Sequence, residues 1–227
     1  MKLSAIHLAR AMAFVEPIDL NPVGKAFYPD LVKALVLRYG FLKFPQKPEE
    51  FDEVKGVVFS TGKFEETTIE QLTIYTYGFL VDTRVSTQES KRLLEEAMEW
   101  ASKSLGLTYN AVRRWQYASQ VTFYSEIDLT SVHPAMQRLA DNVSKIVTEN
   151  TRENLKYELT AFAIDYDSLS RKHPMGRFSI QRRENTPFSE HKYFSDAPLP
   201  TDEHIKLIGQ FEEDISKGRD VSLHAKR

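Results

Sequence analysis

The sequence predicts an α+β protein built as a tandem duplication of one βαββα unit, with antiparallel-rich sheets that carry their helices on one face. A short repeat supports the duplication, because FVEPIDL at residues 14–20 returns as FYSEIDL at residues 123–129. A longer repeat relates residues 81–103 to residues 195–217, with seven identical positions. Hydrophobic periodicity gives the same order of elements in both halves, and this agreement between levels favours the fold.

The first predicted unit, residues 1–109, reads as a strand, a helix, two strands and a helix. Its longest strand is rich in β-branched and aromatic residues, which are typical of sheets. Its last helix begins with the capping-box sequence Ser86-Thr87-Gln88-Glu89 and ends at Gly106. The predicted elements are a strand at residues 6–16, a helix at 23–39, strands at 54–60 and 68–83, and a helix at 86–106.

The second predicted unit, residues 110–217, follows the same order, and residues 218–227 are predicted to form a flexible tail. Tandem ferredoxin-like folds share this order, which is an analogy of fold and implies no function. The predicted strands lie at residues 117–129, 155–166 and 177–183, and Thr201 is predicted to cap the last helix. The first helix of this unit opens at Pro134 and carries the clearest helical periodicity, with an apolar stripe of Met136, Leu139, Ala140, Val143, Ile146 and Val147.

Composition excludes several classes of function. The formal net charge is −2, so the whole chain makes no electrostatic case for nucleic acid or an anionic membrane. Cysteine is absent, which excludes disulfides, thiolate metal sites and a cysteine nucleophile. No stretch approaches the roughly 20 apolar residues of a membrane span. Glycine occurs nine times, which makes a glycine-rich phosphate loop unfavourable. We therefore expect a cytoplasmic protein without cofactor or metal.

The first candidate site is a basic segment at residues 171–192. Between residues 170 and 193 the chain carries six Lys or Arg side chains against two acids. Basic residues interleaved with aromatic rings suit phosphate contacts and base stacking, which makes Arg177, Arg182, Arg183, Lys192 and Tyr193 candidate binding residues. The favoured alternative is that Arg182 and Arg183 lie on opposite faces of a strand. One would then be solvated, and the other would pair with a carboxylate of the other unit.

Histidines and aspartates give weaker candidates. His173 and His191 flank one predicted strand and could cleave RNA by acid–base chemistry without a metal, although a structural role is favoured for each. Asp19 and Asp128 end the two copies of the IDL repeat. They could meet and bind a divalent cation, but turn and helix-cap chemistry is favoured because turn-forming residues follow both.

Two further groups are candidates for contacts with a partner. Arg113, Arg114 and Trp115 could form a nucleic-acid stacking site or a protein hot spot, since Trp and Arg are prominent residues in both kinds of site. The alternative is that Trp115 covers a sheet edge and the arginines face solvent. Strand 68–83 is predicted to place Tyr75, Tyr77 and Phe79 on one side as an interface.

These observations favour a non-enzymatic interaction or assembly protein, a subunit that presents a sheet or helix surface to a protein partner or to a second copy. No frame for a catalytic site is present, so an enzymatic activity is not favoured. An RNA- or DNA-binding module that uses the basic segment is the alternative. A small-molecule pocket between the repeats, with His191 and Tyr193 near its mouth, is the third interpretation.

Overall fold

The computed structural model of the protein describes residues 1–15, 28–107, 112–130, 132–167, 169 and 175–224. The strands of this part of the chain are β1 (Lys2–Phe14), β2 (Val57–Phe64), β3 (Thr67–Tyr75), β4 (Gly78–Thr83), β5 (Arg114–Tyr124), β6 (Ala161–Ile164), β7 (Phe178–Arg182) and β8 (Lys192–Ala197). The helices are α1 (Tyr28–Tyr39), α2 (Thr87–Leu105), α3 (Pro134–Thr151) and α4 (Thr201–His224). Of these helices, none combines the length and hydropathy that a bilayer crossing requires.

The α+β class is confirmed, since the eight strands form one antiparallel sheet in the order β2-β3-β4-β1-β5-β8-β7-β6. The chain divides into two compact units. The N-terminal unit comprises Ile6–Gln120 and Pro198–Asp202, and the C-terminal unit comprises Met1–Ala5, Val121–Ala197 and Glu203–Arg227. The predicted boundaries at residues 109 and 217 stay predictions.

Each half of the chain has three strands between its helices, where two were predicted, so the observed order is βαβββα. Residues 68–83, predicted as one strand, form the hairpin of β3 and β4, with Tyr75 opposite Gly78. A Cβ atom on Gly78 would lie 2.3 Å from the Ala13 carbonyl oxygen of β1, so only glycine fits where β4 begins. The second additional strand is β8, which has polar residues on both faces and therefore lacks a clear strand signal.

The N-terminal unit packs α1 and α2 against one face of its strands. The strand residues on this face alternate with those on the other, as the twofold period of a strand requires. The Ser86 hydroxyl accepts a hydrogen bond from the Glu89 amide at 3.1 Å, and Gly106 ends α2 with φ 71°, as predicted. The buried core includes Leu35, Tyr39, Val57, Phe59, Leu72, Ile74, Val81, Leu93 and Leu94.

Two helix N-termini meet through a reciprocal pair of hydrogen bonds. The Thr87 amide donates to Thr201 Oγ1 at 3.0 Å, and the Thr201 amide donates to Thr87 Oγ1 at 2.8 Å. Both threonines are buried. Thr201 was predicted to cap its own helix. Its hydroxyl instead accepts an otherwise unpaired amide of the first turn of α2, and the Thr87 hydroxyl accepts one from the first turn of α4, so each helix caps the other.

The C-terminal unit packs α4 against β7 and β8. Tyr193, Ser195 and Ala197 of β8 are buried and alternate with the half-buried Lys192, Phe194 and Asp196. The side of β8 that faces α4 is fixed by a 2.8 Å hydrogen bond between Ser195 Oγ and His204 Nε2. Phe162 of β6 contacts Phe211 of α4, with ring centroids 5.3 Å apart, so β6 lies beside the same helix.

Candidate functional site

Helix α3 begins and ends as its sequence predicts. The His133 side chain accepts a hydrogen bond from the Ala135 amide at 3.1 Å, and Pro134 occupies the first turn, where its missing N–H costs nothing. The helix ends at Arg152, which adopts a left-handed conformation with φ 58°. Its stripe of apolar residues recurs every three to four positions and marks one side of the helix.

This stripe lies in the longest continuous part of the described chain that contains no fully buried residue. Every described residue from 132 to 164 is exposed or half-buried. Leu139 and Ile146 are each 57% exposed, and Ile164 of β6 is 64% exposed. Between them the chain is held to the helix, since the Tyr157 amide donates to Ser144 Oγ at 2.7 Å. We call this the α3–β6 surface, and its exposed apolar residues are Met136, Leu139, Ile146, Leu155, Tyr157 and Ile164.

Helix α1 holds the same place in the order of elements as α3, so the burial of the two helices can be compared. It also follows the first strand of its half, yet it buries Val32, Leu35 and Tyr39 in the core. Burial of one such aliphatic side chain contributes about 1.5–3 kcal/mol. Three members of the α3 stripe are half-buried, namely Ala140, Val143 and Val147, and the other three are exposed. Leu139 and Ile146 therefore leave much of this free energy for a binding partner.

The basic segment splits into interior and surface residues. Arg182 has a side chain only 5% exposed, and its guanidinium lies 2.9 Å from Asp128 and 3.3 Å from Glu158. It also donates to the Phe188 carbonyl oxygen at 2.9 Å and lies 4.5 Å from the centre of the Phe188 ring. The pairing carboxylates belong to the same unit, whereas the alternative interpretation placed the carboxylate in the other one.

The electrostatics around Arg182 are those of a structural network. Tyr193 donates to Asp128 Oδ1 at 3.1 Å, and burial raises the pKa of its phenol to about 12. Burial alone would raise the pKa of Asp128, but hydrogen bonds from Thr130 and the charge of Arg182 hold it below its usual value. Asp128 accepts both the Thr130 amide at 2.9 Å and the Thr130 hydroxyl at 2.6 Å, which is the turn chemistry favoured for this residue.

The surface residues of the segment lie on the sheet face opposite α4. Lys192 lies 5.0 Å from the centre of the Tyr124 ring, and the Arg183 guanidinium lies 6.0 Å from that of Phe194. Arg183 is exposed and Lys192 is half-buried. Arg177 is also exposed, in the residues that precede β7. This face therefore presents cations next to the rings of Tyr124 and Phe194, neither of which was predicted to belong to the basic segment.

Of the two candidate acid–base residues, only His191 lies in the described part of the chain. His191 adopts a left-handed conformation with φ 47°, and its carbonyl oxygen accepts the Ser125 amide at 3.0 Å. His173 and Asp19 lie outside the described residues. Within the described ranges, no group of three or more His, Asp or Glu side chains is arranged to hold a metal ion.

Residues predicted as two separate sites form one stacked row on the N-terminal unit. Tyr75 stacks on Tyr77 with ring centroids 5.7 Å apart, and Tyr77 stacks on Phe14 at 6.3 Å. The Arg114 guanidinium lies 4.4 Å from the centre of the Phe14 ring. A Cβ atom on Gly56 would lie 2.5 Å from the Tyr75 ring, so both ends of the row are covered. The row presents ring edges and hydroxyls, not free ring faces.

The other predicted contact residues lie elsewhere. Phe79 is opposite Ile74 in the β3–β4 hairpin and packs on the helix-covered face, so it does not share a side with Tyr75. The prediction failed because the turn reverses the chain between these residues. Trp115 packs against the core with Lys91 at 5.1 Å from its ring centre. Arg113 is exposed, and its amide donates to the Phe14 carbonyl oxygen at 3.0 Å.

One cavity of about 40 Å³ lies between α1, α2, β3 and β4 in the described part of the N-terminal unit. Because one water needs about 10–15 Å³ of such volume, the cavity has room for about three molecules of that size. Its lining is apolar and includes no predicted site residue except Phe79; the other lining residues are Leu31, Leu35, Leu72, Ile74, Leu94, Ala97, Met98, Ala101 and Leu107.

No protein-family model matches this chain. A comparison with curated proteins gives no significant match. The α3–β6 surface differs from the rest of the described chain because it contains the longest run of residues without a fully buried member. The sequence located its helix and its stripe but carried no signal that the stripe would stay uncovered, since a stripe has the same period whichever chain covers it.

Proposed function

We propose that this protein is a non-enzymatic interaction or assembly protein that binds another polypeptide through the α3–β6 surface, as a subunit of a cytoplasmic complex. One observation carries the proposal: residues 132–164 include an amphipathic helix and yet contain no fully buried residue. Exposed apolar patches mark interaction sites in stable proteins. Helix α3 has 18 residues, so it offers a contact line of about 27 Å at 1.5 Å per residue.

The character of the surface suits a protein partner. Leu139 and Ile146 lie two turns apart on the same side of α3, where they can act as anchors for a partner's pocket or helix. Tyr157, which is 43% exposed, adds a ring with a polar end to the α3–β6 surface, and tyrosine is enriched among residues that dominate binding energy. Lys145, which is 75% exposed, points to the opposite side of the helix and leaves the stripe free of charge.

A photo-crosslinking residue at position 139 tests the proposal in living cells. We expect benzoylphenylalanine in place of Leu139 to form a covalent protein adduct on irradiation, because the residue would lie inside the interface. The same residue in place of Lys145 is the matched control and should give none. The adduct's mass and peptide map identify the bound protein. Absence of an adduct at both 139 and 146, or equal adducts at 145, would refute the proposal.

Binding through the α3–β6 surface should be separable from folding. We expect Leu139→Glu to change the free energy of unfolding by less than about 0.5 kcal/mol, since the side chain is exposed. It should nevertheless remove the partner that is crosslinked from position 146. The matched change Leu35→Glu in α1 buries a carboxylate and should abolish the folded state. Denaturant unfolding of both purified variants, together with the crosslink, distinguishes binding from stability.

We also infer that the two halves arose by duplication of one βαβββα unit. The repeated element order supports this, as does the reciprocal bonding of Thr87 and Thr201, which occupy equivalent positions in the longer repeat. A pair of equivalent residues that contact each other reciprocally is what a twofold relation between repeats produces. On this view α3 and α1 are equivalent helices, and of the two only α3 lacks a fully buried residue.

Nucleic-acid binding is the second candidate function, favoured by Lys192 beside Tyr124 and Arg183 beside Phe194. Rings on an open sheet face can stack unpaired bases while neighbouring cations contact phosphates. Arg182 would take no part, because its guanidinium is enclosed with Asp128.

A double charge reversal tests this candidate. If it is correct, Arg183→Glu with Lys192→Glu should weaken binding of a fluorescent 20-nucleotide single-stranded RNA at least tenfold, and wild-type affinity should fall steeply with salt. The control double variant Lys103→Glu with Lys145→Glu changes the net charge equally on exposed helix positions and should bind like wild type. Equal losses in both variants, or binding that ignores salt, would exclude a site on this sheet face.

A further inference from the structure

Strand β6 is the last strand at one end of the sheet order, and its backbone geometry shows which groups face outward. The Arg182 amide donates to the Thr160 carbonyl oxygen at 2.8 Å, which makes these two residues a hydrogen-bonded pair of the β6–β7 ladder. Such pairs alternate along antiparallel strands. Phe162 opposite Ile180 and Ile164 opposite Phe178 therefore direct their backbone groups to β7. Ala161 and Ala163 direct theirs away from the sheet.

Apart from its short length of four residues, β6 carries none of the sequence features that normally block an exposed edge. Native edge strands are protected by charged side chains, proline, bulges or a covering segment. Residues Ala161–Ile164 read AFAI, without charge or proline, and the outward-bonding residues are both alanines, which leave room for another backbone. Ala161, Ala163 and Ile164 are exposed.

The opposite edge of the sheet is covered by its own chain. The Lys43 amide donates to the Ser60 carbonyl oxygen of β2 at 3.2 Å, and the Ser60 amide donates back to the Lys43 carbonyl oxygen at 2.8 Å. The Leu42 amide adds a bond to the Thr61 carbonyl oxygen at 3.2 Å. No described residue gives β6 an equivalent cover. The two edges differ although their strands hold corresponding places in the element order.

We propose that β6 accepts an extended segment of a partner polypeptide as an additional strand, hydrogen-bonded to the backbone of Ala161 and Ala163. This inference rests on the proposed function and specifies the part of the partner that is bound. Main-chain bonds would supply affinity, and alternate side chains would supply selectivity. Side chains of the added strand on the α4 side would extend the contact between Phe162 and Phe211 and cover Ile164, so they should be apolar.

A display library tests the inference without knowledge of the natural partner. The probe is a library of random 12-residue peptides displayed on phage, selected against the immobilised full-length protein. We expect selected peptides to share a run of four to six residues with apolar side chains at every second position and without proline at the bonding positions. Hydrogen exchange should show that the Ala161 and Ala163 amides become protected when a synthetic selected peptide binds.

Two changes at one position provide matched variants. Ala163→Pro removes an outward amide without removing a bond to β7, so the variant should fold like wild type and bind the selected peptide at least tenfold more weakly. Ala163→Val keeps the amide and should bind within about threefold of wild type. Equal binding by Ala163→Pro and wild type would overturn the inference.

Other outcomes separate this inference from the proposed function. Selection of peptides with a helical period whose binding is lost in Leu139→Glu would overturn strand addition and leave the interaction role in place. Failure to select any peptide would also overturn strand addition, whereas the adduct at position 139 is measured independently. Absence of that adduct is the result that would remove the proposed function itself.

Discussion

Replacement of Arg182 by methionine should lower the free energy of unfolding by about 3 kcal/mol, because it leaves carboxylates without their cation. Asp128 and Glu158 both lie within salt-bridge distance of this guanidinium, and neither side chain is fully exposed. Methionine keeps much of the volume against the Phe188 ring, so the loss reports charge and hydrogen bonding rather than a cavity. Loss of the cation should also raise the pKa of Asp128, since the charge of Arg182 contributes to its depression.

The neighbouring residue supplies the control. Arg183→Met removes the same charge from an exposed side chain and should change the free energy of unfolding by less than about 0.5 kcal/mol. Urea unfolding at pH 7 followed by circular dichroism measures both variants. A similar small effect at both positions would show that the Arg182 network adds no net stability.

The stability of the protein should also fall in mild acid because of His204. The ring is fully buried, and burial lowers its pKa to about 4. Ser195 Oγ donates to the Ser179 carbonyl oxygen at 2.7 Å, so the histidine must donate from Nε2 in the 2.8 Å bond to Ser195 and be neutral at Nδ1. That Nδ1 atom is buried without a hydrogen-bond partner, and a proton placed on it would be a charge in the interior.

The direction of the pH effect follows from proton counting. Below about pH 6.5 the unfolded chain binds a proton at this histidine and the folded protein does not, so stability rises with pH between about 4 and 6.5. Between pH 7 and pH 5 the folded state should lose about 2 kcal/mol from this group alone. Most carboxylates titrate below this range.

The variant His204→Gln isolates this contribution. Its amide can still donate to Ser195 but cannot be protonated, so the variant should be less stable than wild type at pH 7 and nearly independent of pH down to 5. His133→Asn keeps an acceptor for the Ala135 amide at an exposed position and serves as the control, with the wild-type slope. Urea unfolding at several pH values measures all three proteins. An unchanged slope in His204→Gln would contradict the assignment.

Local signals in the sequence predicted the helices well. Ser86 and Gly106 fix the ends of α2 because a side-chain acceptor and a left-handed residue satisfy the terminal backbone groups wherever the helix lies. Pro134 and the stripe of α3 located that helix for the same reason. Strand boundaries were less predictable, since the division of residues 68–83 depends on Gly78 passing close to Ala13 of β1, a contact between distant parts of the sequence.

The surroundings of the candidate site residues could likewise not be predicted from local sequence. Arg182 and Arg183 are adjacent and chemically identical, and only the direction of β7 encloses one with Asp128 and exposes the other. The stacked row of Tyr75, Tyr77, Phe14 and Arg114 joins residues that the sequence suggested for two separate sites. Strand pairing brings them together, and the sequence does not state that pairing.

By itself the sequence determined the α+β class, the positions and ends of the main helices, and the amphipathic stripe of α3, because all of these depend on residues within a few positions of one another. Only the tertiary structure decided that α1 fully buries part of its stripe while α3 leaves Leu139 and Ile146 exposed. It also decided that the β2 edge is covered by its own chain, whereas no described residue covers β6 in this way. Burial depends on which distant segments reach a surface. The proposed function rests on this difference.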